Sequence, residues 1–239
     1  MSPLRRTALV AGVLYLLTFV SIPTLGLYGA IHDPNYIIGS GPDTPVLIGA
    51  VLEIIVALAG IGTAVALYPV LKRQNEGVAL GFVGSRVLEA AGILAGVACL
   101  LSIVSLRQAG AGTGALAIGQ TLAILYDRIF LLSQSLMPAL DDLLLGFLLY
   151  QSRLVPRVLP LLAFVGAALL IVGDIGTLFS LWAPAAAPAL LLAIPIALWE
   201  FSLGVYLVVK GFKPSPITSA IETVEPDRRI PGAAAAGMA

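Results

Sequence analysis

The 239-residue chain is 59% hydrophobic and only 11% charged, where a soluble domain carries about 25% charged residues. Its mean hydropathy of +1.03 leaves too little polar surface to coat a water-soluble globule, so the bilayer is its natural solvent. A formal net charge of zero excludes the basic excess of a nucleic-acid binder and a polybasic lipid-headgroup run.

A membrane helix needs about 20 apolar residues, and six stretches meet that length. The first, about 7–30, follows Arg5 and Arg6 as a signal peptide would. Its apolar run exceeds the usual length of roughly 7–15 residues and no small-x-small cleavage site follows, so it reads as a retained helix. The 31–45 segment, with His32, Asp33, Pro34, Gly39, Gly41, Pro42 and Pro45, is loop chemistry. The second and third spans, about 46–71 and 78–106, flank Lys72 and Arg73. Cys99 lies in the third; one cysteine allows no internal disulfide or thiolate cluster, and it reads as a small buried hydrophobe. After a loop near 107–119 come the fourth span at about 129–150, the fifth at 158–182 and the sixth at 188–209. Residues 1–213 thus read as one all-α, six-helix transmembrane bundle, with no room for a soluble catalytic domain and no clear internal repeat. Residues 214–239, rich in Pro, Ala and Gly with scattered charges, read as a disordered cytoplasmic tail.

Lys and Arg set the orientation. One set of connections holds Arg5 and Arg6, Lys72 and Arg73, Arg153 and Arg157, and Lys210 and Lys213. The opposite set holds only Arg107. The bias alternates through all six spans, which predicts cytoplasmic N- and C-termini.

Ionisable residues inside the spans are the informative feature, because a central charge costs at least about 2.5–3.5 kcal/mol on insertion scales. At about 1.5 Å per residue, Arg86, Glu89, Asp141, Asp142 and Glu200 fall roughly 12–17 Å from the cytoplasmic end. Glu53, Gln134 and Asp174 fall roughly 24–27 Å deep, with Arg128 higher still. Two layers are expected: one near the midplane, and a secondary outer polar layer of Glu53, Arg128, Gln134 and Asp174. Arg86 and Glu89, three apart, share a helical face and can pair. In the fourth span the adjacent pairs Asp127–Arg128, Gln134–Ser135 and Asp141–Asp142 recur every seven residues, which predicts one polar stripe. Pro138 lies within it and frees a backbone carbonyl. Arg86 is the midplane's one cation against four carboxyls, so either some acids are protonated or a cation sits among them. An alternative is a structural ion pair, most simply Arg86 with Glu89.

No HExxH, CxxC, P-loop or GxSxG motif is present. The lone histidine, His32, cannot make a zinc site by itself. Asp141 and Asp142 point about 100° apart on one helix, which argues against an aspartyl dyad made of these two alone.

Five stretches carry a family resemblance: AGVLYLLTF in the first span, AVALYPVLKRQNEGVAL after the second, SRVLEAAGIL in the third, LLLGFLLYQSRLVPRVLP around the end of the fourth and WEFSLGVYLVVKGFK in the sixth. In this order and spacing the chain resembles the bacterial membrane-protein family of domain of unknown function 4386. Pro160 departs from the glycine expected after PRVL, and the 107–119 loop and the tail look individual. The resemblance implies a six-helix membrane protein and supplies no activity.

The expectation is a multi-pass protein of the cell membrane without an enzymatic role. It would be a small-molecule or proton- or cation-coupled carrier, or a receptor, with Arg86, Glu89, Asp141, Asp142 and Glu200 as its site. Its partners would be the lipid bilayer and a small ligand, proton or cation; no nucleic acid, cofactor or resident metal is expected. The alternatives are an intramembrane enzyme using carboxylates with Mg²⁺ or Mn²⁺, whose hard oxygen ligands would suit those ions, and a structural membrane subunit.

Overall fold

The computed structural model describes residues 1–183 and 186–218. In chain order the helices are α1 (Pro3–Thr18), α2 (Thr24–Leu27), α3 (Thr44–Leu71), α4 (Glu76–Gln108), α5 (Leu116–Phe130), α6 (Met137–Ser152), α7 (Val158–Leu178) and α8 (Ala187–Val209), with no strand among the described residues. A π turn, Leu131–Leu136, joins α5 to α6 as one continuous rod. Among the described residues six rods are therefore long and apolar enough to cross a membrane. Their outward faces carry large apolar side chains such as Leu58, Val65, Leu88, Ile124 and Leu191, an exposure that suits hydrocarbon. The protein is a multi-pass, all-α membrane protein.

Side-chain caps start α1 and α4. The Ser2 side chain accepts from the Arg5 backbone N–H at 3.3 Å, ahead of Pro3, and Asn75 accepts from Val78 N–H at 3.0 Å to start α4. Glu76 in the first turn of α4 and Arg107 in its last complement the helix dipole. Arg5 donates to the terminal carbonyls of α8, Leu207 at 2.8 Å and Val208 at 2.5 Å, satisfying groups the helix leaves open.

Two spans have different bounds from those read in the sequence. The first rod ends at Ser21 rather than near residue 30. Pro23 cannot donate a helical hydrogen bond, and the chain continues as the short α2 and a 3₁₀ turn, Gly29–His32. The fourth rod starts near residue 113 rather than 129, so the loop before it is short. The charges that suggested a boundary there sit on the rod's surface: Arg128 is exposed, and Asp127 meets His32 Nε2 at 3.0 Å. The tail read as 214–239 lies outside the described residues from 219 onward.

Each rod packs on its neighbours in sequence, and α8 returns to pack on α1. Glycines allow the closest approaches. A Cβ at Gly12 would meet Gly204 O of α8 at 2.8 Å, and one at Gly166 would meet Ile196 N at 2.7 Å. The α1–α8 seam is confined to one half of the bundle because α1 ends early. In α8 no residue before Ile196 is buried.

Candidate functional site

The inner faces of α1, α4, α6 and α8 converge on one guanidinium. Arg86, 3% exposed, donates to Glu89 Oε2 at 2.9 Å, to the Tyr15 hydroxyl at 3.1 Å and to Glu200 Oε1 at 3.3 Å. Its Nε lies 3.4 Å from Asp141 Oδ2 without hydrogen-bond geometry. The guanidinium also sits 5.4 Å from the Tyr15 ring centroid and 5.8 Å from that of Phe82, where aromatic faces favour a cation.

Asp141 and Asp142 are both 0% exposed. None of their four carboxyl oxygens has a hydrogen-bond partner among the described residues. The Trp199 indole interacts with Asp142, though outside hydrogen-bond geometry. Buried polar groups are normally paired, so two buried acids without hydrogen-bond donors, Asp141 in ion-pair range of Arg86 and Asp142 beside it, form an unbalanced site. One guanidinium neutralises one carboxylate; the other acids of the cluster must hold protons or share a further cation.

A cavity of ≈ 180 Å³ adjoins the cluster, enough for several waters. Arg86, Glu89, Glu200 and Gln134 supply its charged and amide groups, and Phe19, Ile22, Val56, Ile93, Pro138 and Ala197 its apolar wall. Asp141 and Asp142 do not line it. The acids are thus divided between a dry core behind Arg86 and a cavity in front of it.

The outer polar layer is not one group. Glu53 Oε1 accepts from Tyr126 at 2.7 Å and from Gln134 at 3.1 Å. Asp174 instead accepts from Ser135 at 2.5 Å, and Arg128 joins neither. Nor do the seven-residue pairs form one stripe. The π turn shifts the register, so Gln134 reaches α3 while Ser135 reaches α7 and Asp127 turns to His32. Gln134 also lines the cavity, which links Glu53 to the Arg86 cluster.

Sequence reasoning brought Arg86, Glu89, Asp141, Asp142 and Glu200 to one depth, and the fold places them in one cluster. It missed Tyr15, Tyr126 and Trp199. A lone tyrosine in an apolar span was the available signal, since a buried hydroxyl needs a partner. Among the described residues no group of three or more His, Cys, Asp or Glu side chains is placed to hold a metal ion. Glu89, Asp141 and Glu200 gather around a guanidinium, with Asp142 beside them, rather than around a common centre.

Comparison with curated proteins and with solved structures gives no match. A family model described as Domain of unknown function (DUF4386) matches residues 10–211, a range that contains the whole charged cluster. The chain belongs to the DUF4386 family, whose description assigns no activity.

Proposed function

We propose that this integral membrane protein is a carrier in which the Arg86 cluster takes up a proton or a small cation from the adjoining cavity. One observation carries the reading: Glu89, Asp141 and Glu200 share a single guanidinium, the fully buried Asp142 sits beside them, and the carboxyls of Asp141 and Asp142 have no hydrogen-bond partner among the described residues. Excess buried carboxyls are costly for stability alone, and intramembrane acids mark proton and ion pathways. The alternation of basic connections supports cytoplasmic termini in a cell-membrane protein. The cavity then lies from the midplane toward the outer half.

Infrared spectroscopy of the protein in lipid vesicles tests this through the C=O stretch of protonated carboxyls. The band is expected to change reversibly with pH across the physiological range and to shrink in Glu89→Gln and Glu200→Gln. A band that does not respond to pH would leave the cluster as a fixed lock between helices.

A further inference from the structure

The geometry points to an amphipathic amine as the cavity's ligand, its ammonium head on Glu89 and Glu200 and its apolar tail passing sideways into the bilayer. This rests on the cation-site reading above and adds a chemical class and an entry route.

Charge decides the head group. The Arg86 N–H groups are taken up by Glu89, Tyr15 and Glu200, with Nε facing Asp141, so little is left to hold an anion. Glu89 uses one oxygen on Arg86 and Glu200 likewise; Glu89 also meets the Asp141 carboxyl, while the second oxygen of Glu200 accepts from no described residue. Gln134 commits its amide N–H to Glu53, leaving its carbonyl oxygen as a third acceptor. A primary ammonium carries three donors. A hard metal ion would instead demand a converging cage of oxygens, which the described acids do not form.

The position of the opening decides the tail. Ala197, on the cavity wall, is exposed, and the Glu200 side chain is 19% exposed. Ala197 stands about 15 Å from the start of α8, a depth at which the surroundings are hydrocarbon. Two features make the gap: α1 stops at Thr18 before the chain turns off at Pro23, and α8 has no buried residue before Ile196. Its border is mainly apolar, with Thr18 and Ser21 the hydroxyl groups at its α1 edge: Ile22 is 64% exposed, with Ile194, Leu198 and Phe201 exposed beside Ala197 on α8. Such a border repels a hydrated ion and accommodates an alkyl chain.

The test titrates the protein in lipid nanodiscs with octylammonium and with methylammonium, which share a head group, and follows the protonated-carboxyl band. Octylammonium is expected to deplete the band saturably, at a concentration lower by about tenfold or more because its chain concentrates in the bilayer. Glu200→Gln should abolish the response to both amines. Ala197→Trp, which fills the opening from an exposed position, should impair octylammonium and spare methylammonium. If Ala197→Trp leaves the octylammonium response intact, sideways entry is wrong. If neither amine acts while the band still titrates with pH, the amine class is wrong and the proton site stands. If the band is also unresponsive to pH, both readings fall.

Discussion

At the residue scale, Arg86 and Asp142 should behave oppositely when replaced. Arg86 compensates several buried acids, and removing one partner of a buried pair leaves charge stranded. Arg86→Gln is expected to destabilise by about 3–5 kcal/mol, measured as unfolding in detergent. Asp142 is fully buried, and its oxygens have no hydrogen-bond partner among the described residues. Asp142→Leu is expected to be stabilising by about 1–3 kcal/mol, because it removes an unsatisfied group. Equal losses in both variants would mean that Asp142 has a partner in the membrane. The Arg86–Glu89 contact was legible, since helical geometry alone places residues three apart together. Tyr15 and Trp199 were not, because an aromatic in an apolar span reads first as core.

At the scale of elements, the π turn organises the polar contacts of the fourth rod. Ser133 packs against Gly92 of α4, Gln134 reaches Glu53 on α3 and Ser135 reaches Asp174 on α7. A regular helix would keep residues seven apart in line; a π turn, common at functional sites, breaks that register. Pro138 follows directly, and a widened turn relieves the clash a proline makes with the preceding turn. Glycines separate crossings from lipid-facing surface. Gly166→Ala would press a methyl on the backbone at Pro195 and Ile196 and should cost about 1–3 kcal/mol through overpacking. A Cβ at Gly84 meets nothing within 4 Å, so Gly84→Ala should be neutral or stabilising by up to about 1 kcal/mol through helix propensity. Thermal unfolding of the two variants side by side checks the contrast.

At the scale of the whole molecule, the loop end is held by a polar knot outside the spans. Asp43 accepts from the Tyr36 hydroxyl at 3.0 Å and from Gln108 at 3.2 Å, and pairs with Arg107 at 3.0 Å. Burial pushes the Tyr36 hydroxyl above its ordinary pKa, against the opposing pull of Arg107. Arg107 is thus engaged in holding the 33–43 loop to α4, so a basic residue at this end has a structural occupation. Orientation is testable with single cysteines in a Cys99→Ala background. A membrane-impermeant maleimide on intact cells should label Asn35→Cys and not Gln151→Cys. The reverse pattern would invert the proposed topology.

Composition and hydropathic span length by themselves determined the six-span, all-α membrane architecture, because a bilayer forces every apolar stretch of sufficient length to satisfy its own backbone. Helical rise put Arg86, Glu89, Asp141, Asp142 and Glu200 at one depth. Depth is a one-dimensional quantity, and it does not say which way a rod is rotated. Packing decided the rest: that Asp141 and Asp142 lie in a dry core while Glu89 and Glu200 face a cavity, that Arg128 stays outside, and that Gln134 and Ser135 part company. Those outcomes depend on the π turn, on the end of α1 ahead of Pro23 and on glycine crossings between segments far apart in the chain.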